Sequence, residues 1–287
     1  MKFSKIISGA MSWGVWGKSL DIRRMADLID YCTSKGITTF DHADIYGGYS
    51  TEAEFGDALK ESGIDRSAIQ LVSKCGIQLI APTRKNNINH YEYSKEYIIW
   101  SVNNSLKNLK TDYLDLLLIH RPSPLMNPYE IGLAINHLKD EGKIKDFGVS
   151  NFTVSQMSLL STATDISVNQ IEFSATKFEA MMNGTLDYMF SKDITPMAWA
   201  PLGTYFKEPS EQTERISKVL ISLSDKYNAD PDQLLLAWIM KHPSGVHPVI
   251  GTTNKERITK AIESENIHID LQDWFKIWVA SQGHDVP

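Results

Sequence analysis

The segments FDHADIYGG (residues 40–48), VSKCG (72–76), LLIHRP (117–122) and GVSNF (148–152) share one pattern. Each begins as an apolar run typical of a β-strand and ends in polar residues. The carboxyl ends of the strands in an α/β barrel meet at one face, and catalytic groups gather there. The pattern therefore predicts that four polar side chains lie together: Asp41, Tyr46, Lys74 and His120.

Eight apolar runs of strand character alternate with helical segments along the chain. We predict strands at residues 6–8, 37–41, 69–74, 115–120, 146–149, 167–171, 195–199 and 248–251. The run LDLLLI at 114–119 does not alternate between polar and apolar residues, which is typical of parallel strands covered by helices. This order predicts an α/β fold, a (β/α)8 TIM barrel, as a single domain over residues 1–287.

Helical periodicity fills the segments between these strands. It predicts helices at residues 22–34, 51–60, 95–109, 128–141, 154–160, 186–191, 211–227 and 255–263. Two further helices, at 231–241 and 271–280, exceed the simple count and are expected as additions to the barrel. The longest irregular segment, 75–94, follows the strand of Lys74 and should overhang the active face.

Composition and charge narrow the functional classes. The formal charge of −6 gives no general attraction to nucleic acid or to anionic lipid, so neither is an expected partner. No apolar stretch is long enough to span a bilayer, and the start MKFSKIISG lacks the apolar run of a secretory signal, so we expect a cytoplasmic protein. The 2 cysteines are too few for a disulfide framework.

The four polar residues fit the reduction of a carbonyl group. A tyrosine is a poor acid at neutral pH, but the ammonium of Lys74 would stabilise the phenolate of Tyr46. Asp41 would hold Lys74 charged and oriented, and His120 could orient a carbonyl oxygen. Donors and positive charge would then converge where negative charge develops during hydride transfer.

The hydride must come from a cofactor, yet the chain contains neither GxGxxG nor GxxxxGK[ST]. Loops of the barrel would therefore have to bind a nicotinamide nucleotide. Candidates at strand ends are Ser150 and Asn151 for the carboxamide, with Gln170 beside them and Trp199 as a stacking surface. The segment PVIGTTNKERI at 248–258 is similar to the phosphate site of barrels, with donors from Thr252, Asn254 and the helix terminus and a charge from Arg257.

These segments, with AWAPLG at 198–203 and GHDVP at 283–287, resemble the aldo-keto reductase superfamily over nearly the whole chain, and the bacterial YdhF-like oxidoreductase subgroup in particular. The resemblance implies that Tyr46 is the general acid, that Lys74 lowers its pKa, that Asp41 pairs with Lys74 and that His120 positions the carbonyl. It also implies an NADPH-dependent enzyme that is a monomer and acts on a small carbonyl compound.

The same resemblance implies a cofactor extended over the barrel mouth. Its contacts would come from Ser150, Asn151, Gln170, Trp199, Leu202, Gly203, Gly251, Thr252, Asn254 and Arg257. Many members that use NADPH have a lysine where this chain has Gly251. Preference for the 2′-phosphate then rests on Arg257 and Thr252, and use of NADH is possible.

Two other functional classes stay open at this point. Asp41, His42, Asp44 and His120 could be the ligands of a metal-dependent hydrolase, although strand alternation turns His42 away from its neighbours. A barrel of this superfamily could also bind nucleotide to regulate a partner without physiological turnover, as the potassium-channel β subunits do.

Overall fold

The computed structural model describes residues 3–287 and contains ten strands. They are β1 (Ile7–Gly9), β2 (Thr39–Asp41), β3 (Gln70–Cys75), β4 (Ile77–Gln78), β5 (His90–Tyr91), β6 (Leu114–Ile119), β7 (Ile144–Ser150), β8 (Val168–Glu172), β9 (Thr195–Trp199) and β10 (His247–Ile250). Eight of them form a closed parallel barrel in the order β1-β10-β9-β8-β7-β6-β3-β2, and β4 pairs with β5. The predicted TIM barrel is confirmed.

The helices found within residues 3–287 match the predicted pattern closely. They are α1 (Ile22–Ser34), α2 (Tyr46–Tyr49), α3 (Thr51–Ser62), α4 (Lys95–Leu109), α5 (Pro128–Asp140), α6 (Val154–Leu160), α7 (Glu179–Met182), α8 (Thr185–Ser191), α9 (Glu211–Tyr227), α10 (Pro231–Met240), α11 (Lys255–Glu263) and α12 (Leu271–Gln282). The two additional helices are present as α10 and α12. The four-residue helices α2 and α7 were not predicted. Over this same range, no helix has both the length and the hydropathy needed to cross a bilayer.

Strand alternation divides the core into an inner and an outer part. Leu116 and Leu118 of β6 belong to a small cluster inside the barrel, which also contains Val72 of β3. Leu117 and Ile119 belong to the larger cluster between the strands and the helices. Both faces of β6 are therefore buried, which explains why its sequence shows no alternation between polar and apolar residues.

The additional helices α10 and α12 are joined by two tryptophans. The rings of Trp238 and Trp274 stack with centroids 5.1 Å apart and planes 12° apart. Each indole N–H donates to the backbone carbonyl of the other residue, at 3.0 Å in both directions. This reciprocal contact satisfies both polar atoms while the two ring surfaces pack on each other.

The segment 75–94 is more regular than its sequence indicated. It contains the antiparallel pair β4 and β5, in which Ile77 faces Tyr91 and Gln78 faces His90. The backbone amide of Leu79 also donates to the hydroxyl of Tyr49 at 2.8 Å, which holds the hairpin beside α2. Strands of two residues are too short to show periodicity, so the expectation of an irregular loop was wrong here.

Gly56 of α3 lies where α3 comes close to the C-terminal end of α4. A Cβ atom at Gly56 would lie 2.2 Å from the carbonyl oxygen of Asn108 and 2.9 Å from the Cα of Leu109. We expect Gly56→Ala to lower the free energy of unfolding by about 1–3 kcal/mol, because the backbone of α4 must move. Urea denaturation followed by circular dichroism measures this. Gly251→Ala is the control, because nothing lies within 4 Å of its Cβ position; equal midpoints for the two variants would contradict the prediction.

Candidate active site

Lys74 is the centre of a buried polar cluster at the carboxyl end of the barrel. Its Nζ donates to Oδ2 of Asp41 at 2.7 Å, to the carbonyl of His42 at 2.8 Å and to the hydroxyl of Tyr46 at 3.1 Å. The residue is only 1% exposed. These three acceptors satisfy all three N–H donors of the ammonium, so the charge is compensated without water.

The register of β2 and β3 creates this contact. Asp41 pairs with Val72, and the chain then continues alongside β3, since the amide of Asp44 donates to the carbonyl of Lys74 at 3.0 Å. Asp41 is the last residue of β2, and Lys74 lies two residues beyond Val72, on the same face of β3. The two side chains therefore point into the barrel mouth together.

Tyr46 reaches the ammonium because the chain turns sharply after β2. Gly47 and Gly48 adopt left-handed conformations with φ of 63° and 66°, and a Cβ at Gly47 would lie 2.5 Å from the hydroxyl oxygen of Thr51. Burial raises the pKa of the Tyr46 phenol, and the neighbouring Lys74 ammonium offsets part of this rise. The expected lowering by Lys74 is present but is outweighed by burial, so the phenol is protonated at neutral pH.

His120 faces Tyr46 from the end of β6. The two rings meet edge to face with centroids 6.1 Å apart. Burial, together with the charges of Lys74 and Arg121, lowers the pKa of His120 well below its ordinary value. The imidazole is therefore neutral at pH 7, and it can donate or accept a hydrogen bond without adding charge to the site.

Lys74 keeps its charge despite burial. Burial opposes the ammonium form, but the Asp41 carboxylate and the Tyr46 hydroxyl outweigh it and raise the pKa of Lys74. The second carboxylate oxygen of Asp41 accepts a hydrogen bond of 2.8 Å from Nε2 of Gln170. Gln170 thus orients Asp41, and its amide oxygen and its second N–H are left for another partner.

The predicted carboxamide and ring contacts form a second group beside this cluster. Trp199 Nε1 donates to Oδ1 of Asn151 at 2.9 Å, and Nδ2 of Asn151 donates to Oγ of Ser150 at 2.7 Å. Asn151 has a φ of 60°, which turns the chain out of β7. The three side chains are joined in one chain of hydrogen bonds that fixes the indole of Trp199.

The remaining predicted cofactor contacts follow β9 and β10. Gly203 has a φ of 54° and packs so tightly against Thr176 that a Cβ there would lie 1.9 Å from its hydroxyl oxygen; Leu202 precedes it and is half-buried. Beyond β10, Oδ1 of Asn254 accepts from the amide of Arg257 at 3.0 Å and caps α11. The hydroxyl of Thr252 accepts from the amide of Asn254 at 3.2 Å.

Arg257 is exposed at the start of α11. Two acidic residues of the same helix have other partners: Glu256 contacts Lys260 at 3.3 Å, and Glu263 accepts from Gln233 at 3.1 Å. Gly251 is also exposed, and its carbonyl accepts from the hydroxyl of Ser12 at 2.7 Å. Within residues 3–287 no side chain pairs with Arg257, so an anion at this helix terminus would meet its guanidinium.

Comparisons with known proteins show which family the chain is similar to. The model of the aldo/keto reductase family matches residues 5–279. The oxidoreductase YcsN of Bacillus subtilis (strain 168) is 43% identical over 100% of this chain and 97% of its own. The oxidoreductase YdhF of Escherichia coli (strain K12) is 39% identical over 100% of this chain and 96% of its own.

The chain belongs to the aldo/keto reductase family. The predictions of the family, of an oxidoreductase and of resemblance to YdhF are confirmed. Among solved structures, the aldo-keto reductase of Bombyx mori in complex with NADP superposes with a TM-score of 0.77, at 22% identity, over 96% of this chain and 88% of its own. At this identity the superposition supports the fold alone.

The alternative set of metal ligands is not assembled in this aldo/keto reductase. The ring of His42 lies outside the barrel, with its centroid 4.2 Å from that of Phe55. Burial, followed by the charge of Lys74, lowers its pKa to about 3. Within residues 3–287, no three His, Cys, Asp or Glu side chains are placed to share a metal ion. The geometry therefore gives no support to Asp41, His42, Asp44 and His120 as joint ligands.

Two side chains at the mouth of this aldo/keto reductase carry no role in the sequence interpretation. Trp16 packs against Tyr46 with centroids 6.2 Å apart while remaining 46% exposed. Arg121 lies over Trp199, with Cζ 5.6 Å from the ring centroid. Arg121 stands in the quoted segment LLIHRP directly after His120, so its charge at a strand end was a usable signal. Trp16 lies in the loop after β1 and had no such signal.

A pair of buried acids lies behind the Tyr46 turn. Asp44 accepts from the hydroxyl of Ser101 at 3.1 Å, and its other oxygen, Oδ1, is buried without a hydrogen-bond partner. Glu52 accepts from the hydroxyl of Ser73 at 2.6 Å. Burial, followed by the negative charge of Glu52, raises the pKa of Asp44 to about 8. Asp44 is therefore protonated in the folded protein at neutral pH.

The raised pKa of Asp44 makes stability depend on pH. An unfolded aspartate has a pKa of about 3.9, so the folded state holds a proton that the unfolded state has lost over the interval up to pH 8. The contribution of Asp44 to stability is thus complete below pH ~4 and is lost as pH rises to about 8. Asp44→Asn cannot ionise at this position. We therefore expect its free energy of unfolding, measured relative to that of the native protein, to rise by about 1 kcal/mol for each pH unit between pH 5 and 8. Urea denaturation at both pH values measures this, and a difference independent of pH would contradict it.

Proposed function

We propose that this protein reduces an aldehyde or ketone to the alcohol with NADPH, with Tyr46 as proton donor. The observation that carries the proposal is the buried Lys74 ammonium bonded to both Asp41 and the Tyr46 hydroxyl. A phenol held on an ammonium at the mouth of a barrel can release a proton to a substrate oxygen. The His120 ring packs edge to face against the Tyr46 ring, and we place the carbonyl oxygen between the imidazole and the Tyr46 hydroxyl.

In the proposed reaction, each residue has one task. A nicotinamide nucleotide, when bound, would supply the hydride that the carbonyl carbon accepts as its π electrons move to oxygen. Tyr46 gives its proton to that oxygen, which completes the alcohol. Lys74 stabilises the phenolate that remains until a proton returns from solvent, and Asp41 keeps Lys74 oriented. The neutral His120 donates a hydrogen bond that orients the oxygen.

The residues around the mouth fit a dinucleotide. Trp199 offers an indole whose orientation is fixed by Asn151, and Ser150 and Asn151 offer polar atoms beside it. The N-terminus of α11 and the unpaired Arg257 offer donors and charge to a phosphate. The presence of NADP in the Bombyx mori structure is consistent with this assignment.

Tyr46→Phe tests the proton donor. Removal of the hydroxyl should lower kcat for carbonyl reduction by about 10²- to 10⁴-fold, because phenylalanine has no proton to give to the substrate oxygen. Binding of NADPH, followed by quenching of tryptophan fluorescence, should stay within twofold. The measurement is NADPH oxidation at 340 nm with a panel of aldehydes and ketones.

Tyr49→Phe is the matched control for this experiment. It removes a tyrosine hydroxyl from the same turn, one that accepts from Leu79 and not from Lys74. Its turnover should remain within a few-fold of the native protein. Undiminished reduction by Tyr46→Phe would remove the proposed mechanism.

Arg257→Ala tests recognition of the 2′-phosphate. Loss of a charge-assisted contact should weaken NADPH binding about tenfold and leave NADH binding nearly unchanged. Fluorescence titration with each nucleotide measures both. Lys255→Ala is the control, because the Lys255 ammonium lies 5.0 Å from the ring centroid of Tyr31. Equal losses of affinity for NADPH and NADH in Arg257→Ala would show that this residue does not bind the 2′-phosphate.

A further inference from the structure

Arg121 is held rigidly at the barrel mouth by its backbone. Its carbonyl accepts a hydrogen bond from the hydroxyl of Tyr93, a buried residue that follows the β4–β5 hairpin. The preceding residue, His120, is fixed as well, because its amide donates to the carbonyl of Cys75 at 3.0 Å. The base of the Arg121 side chain therefore has a defined position beside the catalytic cluster.

The guanidinium of Arg121 lies among the groups proposed to act on the substrate. It stacks over Trp199, with Cζ 5.6 Å from the ring centroid. Its positive charge also favours the neutral form of His120 and the ionised form of Tyr46. The charge of Arg121 thus changes the pKa of both residues that would face a carbonyl oxygen, His120 and Tyr46.

No carboxylate of residues 3–287 neutralises this charge. Arg121 forms no salt bridge there, and none of its guanidinium N–H groups donates to a protein acceptor of that range. By contrast, Arg66 at the opposite end of the barrel donates to Asp115, to Thr111 and to two backbone carbonyls. A partly buried arginine with five free donors is suited to an external anion.

We infer that Arg121 binds a carboxylate on the carbonyl substrate, so that the preferred substrates are oxo acids. This inference rests on the proposed function, because it concerns the substrate of the same site. The planar fork of arginine matches a carboxylate in two parallel hydrogen bonds. Arg121 supplies a single positive charge, since Lys74 is already paired with Asp41, and this charge matches a monoanion better than a phosphate dianion.

The reaction itself is unchanged by this contact. The carboxylate stays ionised and bound while hydride and proton add across the C=O bond. The bond to Arg121 forms on binding and persists in the transition state, so its loss should raise KM more than it lowers kcat.

Two pairs of substrates with matched shapes test the inference: 4-carboxybenzaldehyde with methyl 4-formylbenzoate, and 4-oxobutanoate with its methyl ester. The native protein should show a higher kcat/KM for the acid of at least one pair. Arg121→Met should lower kcat/KM for that acid by about 10- to 100-fold and for the ester by less than threefold. Arg121→Lys, which keeps the charge without the fork, should recover part of the loss.

A second measurement distinguishes binding of an anion from a structural role. In the native protein, kcat/KM for the acid should fall as salt rises from 20 to 500 mM, and this dependence should disappear in Arg121→Met. The Kd for NADPH should stay within twofold. Arg84→Met is the matched control, because Arg84 stacks on Tyr49 and Trp100 at 4.1 Å and 4.5 Å; it should retain the preference for the acid.

The outcomes separate the two proposals. Reduction of the esters without any preference for the acids, or equal losses on acid and ester in Arg121→Met, would overturn the inference while the proposed function stands. A native protein that binds no NADPH and reduces no member of a broad carbonyl panel would overturn the proposed function, and this inference with it.

Discussion

The ion pair between Lys74 and Asp41 is the interaction on which the site depends. Both side chains are almost fully buried, and removal of one partner from a buried pair costs about 3–5 kcal/mol because the other charge is left unpaired. The pair can exist only if β2 and β3 keep their register and the chain after β2 stays alongside β3. The geometry of the proton donor is therefore tied to the closure of the barrel, because Tyr46 bonds to the same ammonium.

Strand alternation gives two carboxylates of one short segment opposite surroundings. Asp41 points into the mouth, where Lys74 and Gln170 both donate to it. Asp44 lies behind the turn, where its partners are neutral hydroxyls and where Glu52 adds negative charge. The same residue type thus serves as a counter-ion in one place and as a protonated acid in the other, and the difference follows from which face of β3 each one meets.

The sequence was sufficient to predict the barrel and the polar cluster around Lys74, because both depend on patterns of short range. Continuous apolar runs such as β6 predicted strands, and a polar residue at each strand end predicted where side chains meet. The hairpin β4–β5 and the segment α2 were missed because two to four residues show no period, and Gly47 and Gly48 inside α2 have left-handed, non-helical backbone angles. Trp16 was missed because its contact with Tyr46 depends on the path of the loop after β1.

The charges at the mouth could not be assigned from sequence, because each depends on packing. Burial beside two cations lowers the pKa of His120 well below its ordinary value, and the guanidinium of Arg121 is unpaired because no acidic side chain of the described chain reaches it.

The barrel separates the two halves of the proposed chemistry. Asp41, Tyr46, Lys74 and His120 lie in or just after β2, β3 and β6, whereas the predicted cofactor contacts lie in or after β7 to β10. Gln170 and Arg121 link the halves, because Gln170 of β8 orients Asp41 and Arg121 after β6 stacks on Trp199 of β9. A substrate held between these halves would meet a proton donor on one side and a hydride donor on the other. Tyr93, which follows the hairpin β4–β5, holds the backbone of Arg121, and Ile77 and Leu79 of the hairpin pack against the Tyr46 turn. The hairpin therefore contacts both the proposed substrate anchor and the proposed proton donor.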